Sequence, residues 1–353
     1  MLLNDTSTFA ALDPQNMLAE IESLPDQLAA AWQLGQICPL SKADGVKQVV
    51  IAGMGGSAIG ADLLTSYAAS ACSVPIIVHR DYDLPAFAHG PETLFIASSH
   101  SGNTEETLTS FDAALANGCT IVAVSTGGKL AEKATAANVP VWEFEHAGQP
   151  RAAVGYSFGL LLALFVRMGF LPADQVDLPQ TVADMKSQER LLGVDVPAHK
   201  NPAKRYAGQM VGRWVTVFGS GALSPVARRW KGQINEIAKA GANFEFLPEA
   251  DHNTLAGTQN PYETLLHTHS IFLRAPSDHP RNRLRADATR KAMMLEALST
   301  DAYDARGNSL LSHIWTTLHF GDYLAYYLAM IYKVDPTPVE ALVELKAKLK
   351  SMS

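Results

Sequence analysis

The stretch Val49-Val50-Ile51-Ala52-Gly53-Met54-Gly55-Gly56-Ser57-Ala58-Ile59-Gly60 constrains the possible folds of this chain more than any other. Four apolar residues run into a turn in which three of four positions are glycine, and an apolar helical pattern follows. Such a turn lets the backbone approach a ligand closely. The N–H groups that open the next helix then face that ligand with the positive end of the helix dipole, so an anion is expected there. The pattern returns at Val215-Thr216-Val217-Phe218-Gly219-Ser220-Gly221, which indicates an internal duplication.

Around each turn the chain alternates between strand and helix patterns. Strands are expected at 49–53, 75–78, 93–97, 120–124 and 139–144, with helices at 58–69, 105–117 and 130–137 between them. After a helix at 154–168 and a polar one at 174–192, a second series follows. It has strands at 215–219, 243–247 and 270–273 and helices at 223–240, 281–298 and 310–332. This order predicts an α/β fold of two doubly wound parallel-sheet domains flanked by helices. With 353 residues and 47% hydrophobic content, both can bury a core. We place an N-terminal helical segment at 1–40, opened by Asp13-Pro14 and helical to Leu34. The first sheet domain is placed at 41–195 and the second at 196–353, joined through the proline-bearing segment 196–202. The stretch 298–310 is more polar than the strand or apolar turn expected there. A C-terminal helix, restarted by Asp335-Pro336-Thr337-Pro338, is amphipathic through Val339, Leu342, Val343 and Leu345 and is expected to dock on the body.

A net charge of −7 with interspersed signs gives no basic footprint for nucleic acid or anionic lipid, so a small ligand is the expected partner. Cys38, Cys72 and Cys119 are widely spaced and odd in number, which suggests neither a disulfide framework nor a zinc site and fits a reducing cytoplasm. The N-terminus lacks a signal-peptide pattern, and the most apolar helix is too short to span a bilayer, so neither export nor membrane insertion is expected.

The first turn formally satisfies the dinucleotide fingerprint G-x-G-x-x-A, which keeps an oxidoreductase open, yet no acidic residue stands about 20 positions on to hold a ribose. Ser98-Ser99-His100-Ser101-Gly102-Asn103-Thr104-Glu105-Glu106-Thr107 favours a different ligand. Ser99, Ser101 and Thr104, with Ser57 from the adjacent strand end, can hold a phosphate through hydroxyls and helix N–H groups without lysine or metal. Helix capping explains one of these hydroxyls and leaves the others unexplained. No P-loop lysine, HExxH pair or nucleophile elbow is present, and His267 and His269 lack a third metal ligand, so packing is their expected role. In the second half, Glu236 stands one turn beyond Gly232, which leaves room beside its carboxylate; a solvated pair with Lys239 is the plainer alternative. His252, at a strand end among acids, is a candidate acid/base.

Together these segments resemble the sugar isomerase (SIS) domain, and more narrowly the bifunctional phosphoglucose/phosphomannose isomerase family. The resemblance rests on GMGGSAIG (53–60), SSHSGNTEET (98–107), PRAAVGYSFG (150–159), RWKGQINEIAK (229–239), PEADHN (248–253) and VDPTPVEALVELK (334–346). It implies a homodimer of two-SIS-domain chains acting on a hexose 6-phosphate, with no cofactor, metal or nucleic acid. Carried over position by position, Gly55, Gly56, Ser57, Ser99, Ser101 and Thr104 would hold the phosphate, and Glu236 would be the base. Arg151 would steady the intermediate, and His252 would open the sugar ring, reaching in from the partner subunit. Thr337 and Lys346 of the tail would close over the sugar. The implied reaction interconverts glucose 6-phosphate, and mannose 6-phosphate, with fructose 6-phosphate through a cis-enediol. A non-catalytic SIS module that senses a sugar phosphate is the alternative, and the presence of Glu236 and His252 argues against it.

Overall fold

Two all-parallel sheets carry the chain, one in each half. In this computed structural model, which describes residues 2–40 and 45–352, the first sheet comprises β1 (Gln48–Ala52), β2 (Ile76–His79), β3 (Thr93–Ser99), β4 (Thr120–Ser125) and β5 (Val141–Glu143) in the order β2-β1-β3-β4-β5. The second comprises β6 (Trp214–Ser220), β7 (Ala242–Leu247), β8 (Thr268–Arg274) and β9 (Ser299–Asp304) in the order β7-β6-β8-β9. The expected boundary after residue 40 abuts residues 41–44, which lie outside the described residues.

Near-continuous apolar runs suit strands buried on both faces, and β3 is buried at every position. In register, Ala52 pairs with Ala97 and Ser99 with Ser125, so β1 and β3 finish side by side at one edge of the sheet. The strand order reverses between these two, which opens a crevice at their carboxyl ends.

Between the sheets lie helices Val154–Arg167 and Leu310–Tyr332, the second buried from Leu311 to Met330. One continuous apolar cluster runs from Val49 and Ile51 through Phe158 and Trp315 to Val215 and Ile271, so the two halves share a core. Within it lies a buried ion pair: Arg229 donates to Asp322, with Nη2 2.8 Å from Oδ2, and both are almost fully buried. Among the described residues, no helix is long and apolar enough to cross a membrane.

Two expectations change, and one stretch forms the strand expected of it despite its polar composition. The N-terminal helix is two helices, Met17–Glu22 and Leu24–Ile37, because Pro25 starts a new first turn. Asp13 still caps, accepting from Met17 N at 2.7 Å, while Asn16 adopts a left-handed backbone. The polar stretch after Leu298 is a strand, β9, whose position at the sheet edge explains its composition. The C-terminal helix, Glu340–Met352, does not bury its apolar face: Leu342, Val343, Leu345 and Leu349 are all exposed.

Candidate active site

The crevice above β1 and β3 is a cavity of about 730 Å³ bounded by the glycine turn, the hydroxyl run, Arg151, Glu236 and the C-terminal helix. Gly55 takes a left-handed backbone (φ +51°), as the turn requires of its first helical residue. Gly56 is required by contact instead. A Cβ there would come within 2.4 Å of Pro150 O, so only glycine lets this helix start pack on the turn Pro150–Ala152 that carries Arg151.

Ser57, Ser101 and Thr104 line the cavity, whereas Ser99 stands one step behind, buried, with its hydroxyl donating to Thr104 Oγ1 at 3.0 Å. Thr104 precedes helix Glu105–Ala116 but makes no side-chain cap bond. The first N–H groups of that helix are therefore left to a ligand, and capping does not account for the hydroxyl.

Glu236 is the last residue of helix Ser224–Glu236, about one-third exposed, with Oε2 3.7 Å from Arg151 Nη1. The Lys239 alternative does not hold. Its Nζ donates to the Glu236 backbone carbonyl at 2.8 Å, and burial lowers the ammonium to about 8. A Cβ at Gly232 would meet nothing within 4 Å, which leaves the open space expected below the carboxylate.

Arg151 is 5% exposed, and that burial lowers its pKa against the opposing pull of Glu236. Its Nη2 donates to Pro336 O (3.0 Å) and Thr337 O (2.5 Å), while Nε is buried with no protein partner among the described residues. Thr337 thus acts through its carbonyl. Its hydroxyl is buried with no partner among the described residues and lines no part of the cavity, whereas Lys346 does line it, from the C-terminal helix. His252 ends the turn Glu249–His252 on the exposed surface and lines no part of its own chain's cavity.

Sequence reasoning gave His100 no role. Its backbone N–H donates to Ser57 Oγ (3.2 Å), and its Nε2 lies 2.9 Å from His146 Nδ1; His146 Nε2 in turn lies 2.9 Å from Glu20 Oε2. A carboxylate only accepts, so His146 donates to Glu20 from Nε2, and its Nδ1 meets His100 Nε2 to complete a chain of three side chains. Burial, with His146 beside it, lowers His100 to about 4, so it is neutral at pH 7. The local signal was a histidine inside the hydroxyl run; Glu20 and His146 lie too far away in sequence to give one.

The second glycine turn repeats the first, with Gly221 at φ +50°. There the chain supplies its own anion. The Asp278 carboxylate accepts from Ala275 N at 2.7 Å and from the Ser220 hydroxyl, and burial raises it to about 6.

Comparison with known proteins gives the family. A family model described as the bacterial phospho-glucose isomerase C-terminal SIS domain matches residues 199–349. A bifunctional phosphoglucose/phosphomannose isomerase of Caldicellulosiruptor bescii is 39% identical over 335 residues, covering 94% of this chain and 98% of that one. The chain belongs to the bifunctional phosphoglucose/phosphomannose isomerase family. A member from Aquifex aeolicus is 32% identical over 86% of this chain and 91% of its own. Among solved structures, the tagatose-6-phosphate ketose/aldose isomerase of Escherichia coli superposes with a TM-score of 0.68 at 16% identity, over 90% of this chain and 93% of that one. At that identity the likeness shows the SIS fold, which this family member shares.

Proposed function

We propose that this chain is an aldose–ketose isomerase that interconverts glucose 6-phosphate and mannose 6-phosphate with fructose 6-phosphate. The observation that carries the reading is that the hydroxyls of Ser57, Ser101 and Thr104 share one cavity with the facing pair Glu236 and Arg151. A phosphate at C6 takes the hydroxyls and the helix N–H groups, which brings C1 and C2 of the open-chain sugar toward Glu236.

From the aldose, the Glu236 carboxylate removes the C2 proton as the carbonyl oxygen at C1 takes negative charge, and Arg151 offers a guanidinium to that oxygen. Returning the proton to C1, with transfer of the hydroxyl proton from O2 to O1, completes the ketose; atoms and charge balance without a cofactor. Glucose and mannose 6-phosphates give the same enediol, so protonation of C2 on either face joins both epimers to one ketose. Ring opening falls to His252 of a second copy, which requires a homodimer. We place the protein in the cytoplasm, where its three free cysteines remain reduced, and we keep the division into 1–40, 41–195 and 196–353.

The test is a side-by-side coupled assay of fructose 6-phosphate formation from glucose 6-phosphate and from mannose 6-phosphate. Turnover of both is expected. Turnover of neither, with fructose 6-phosphate still bound, would return the chain to a sensing role.

A further inference from the structure

The cavity does not stop at Glu236. Gly55, Gly56, Arg151 and Glu236 also line a second cavity of about 370 Å³, whose far wall is Arg80, Arg228, Lys231 and Phe244. Cations outnumber anions there. Asp62 Oδ2 accepts from both Arg80 Nη2 (2.5 Å) and Arg228 Nη1 (3.0 Å), and Arg229 is committed to Asp322. Lys231 is half-buried and has no carboxylate within ion-pair distance among the described residues. The guanidiniums are held in place without a ligand: Arg80 also donates to Ala58 O at 3.1 Å, and Arg228 lies over the Phe244 ring at 5.1 Å. Those bonds engage one Nη of each, so the remaining N–H groups of both forks have no protein acceptor among the described residues.

A hexose monophosphate gives these cations nothing to bind. With its phosphate on the neutral hydroxyls, the end that reaches Glu236 carries only hydroxyl and carbonyl groups, and Arg151 alone serves the charge that develops there. A clamp between the two halves accounts for the Arg80–Asp62–Arg228 bridge but not for Lys231. The geometry points to the second cavity as an anion subsite that takes a phosphate on C1 of a sugar whose C6 phosphate sits on Ser57, Ser101 and Thr104, an inference that rests on the isomerase reading for the direction of the sugar. The ligand class is a hexose 1,6-bisphosphate. Phosphorylation at O1 of an aldose blocks the free aldehyde, so such a ligand occupies the site without isomerising and competes with substrate. Bidentate guanidinium–phosphate pairing is the interaction that distinguishes it from the monophosphate.

Glucose 1,6-bisphosphate and 1,5-anhydroglucitol 6-phosphate, which lacks the C1 anion, are compared as inhibitors and by calorimetry on the full chain. The bisphosphate is expected to bind at least about tenfold more tightly, and Arg228→Gln with Lys231→Gln to remove that advantage while kcat/KM for glucose 6-phosphate stays within about twofold. Lys231→Gln alone, which breaks no ion pair or hydrogen bond among the described residues, gives the same reading at smaller size if the double variant folds poorly. Equal affinity of the two ligands, or an advantage that survives the double variant, overturns the subsite. So does a double variant whose only change is in self-association, since the cations then serve an acidic segment of a second copy. Absence of isomerisation with the calorimetric difference intact would count against the reaction and not against the subsite.

Discussion

Glu236 Oε2 and Arg151 Nη1 stand 3.7 Å apart, face to face across the junction of the two halves, too far for a hydrogen bond and close enough for charge to be felt. The arginine is held by carbonyls of the tail and not by the carboxylate, which leaves the lone pairs of the proposed base to a substrate. Glu236→Gln is expected to lower kcat roughly 10²- to 10⁴-fold with KM little changed. Arg151→Lys, which cannot hold both carbonyls and also face the base, is expected to cost about 3 kcal/mol, roughly a hundredfold in kcat. Steady-state kinetics on folded variants decide; near wild-type turnover in Glu236→Gln would sink the mechanism.

Gly56→Ala tests whether the glycine turn serves contact as well as conformation. Its Cβ would press on Pro150 O, so the turn carrying Arg151 must move. Overpacking of this kind costs about 1–3 kcal/mol in stability, and displacement of the cation adds a fall in kcat. Unaltered kcat with a lowered melting temperature would confine Gly56 to packing.

His252 is exposed and lines no part of its own chain's cavity, and mixing two inactive variants shows whether a partner supplies it. In a random mixture of Glu236→Gln and His252→Gln chains, half the dimers are mixed and each has one intact site, so about a quarter of wild-type activity is expected. Mixtures as inactive as their components would place ring opening elsewhere.

Asp278 makes stability depend on pH in a set direction. Burial raises its carboxyl to about 6, from 3.8 for a free aspartate, so between these values the folded state holds a proton that the unfolded state has released. The resulting penalty is absent below the unfolded value, grows as pH rises between the two values, and is complete above about 6. Asp278→Asn is therefore expected to gain on the wild type in melting temperature more at pH 8 than at pH 4.5. An equal difference at both pH values would rule out the linkage.

The parallel sheets were legible because buried strands such as β1 and β3 read as short apolar runs closed by glycine or serine. The proposed phosphate cradle was legible because all its hydroxyls but that of Ser57 crowd into one loop. Features that depend on distant partners were not. Ser99 looks like a ligand group until its hydroxyl is seen to donate to Thr104, and Thr337 looks like a hydroxyl ligand until its carbonyl is found on Arg151. Asp62 unites Arg80 and Arg228 from opposite halves of the chain, and Glu20 reaches His100 through His146, pairings to which no periodicity points. The C-terminal helix misled for another reason: amphipathy reports that an apolar face exists, not that this chain covers it.

Arg151 rests on Pro336 and Thr337, immediately before that helix. The last segment of the chain is therefore a latch as well as a wall, since whatever lifts it also strips the guanidinium of two acceptors. Trimming the chain ahead of Pro336 would release the arginine together with Lys346, so the activity lost could not be assigned to the lysine. A cut just after Thr337 would leave the latch closed and separate the two.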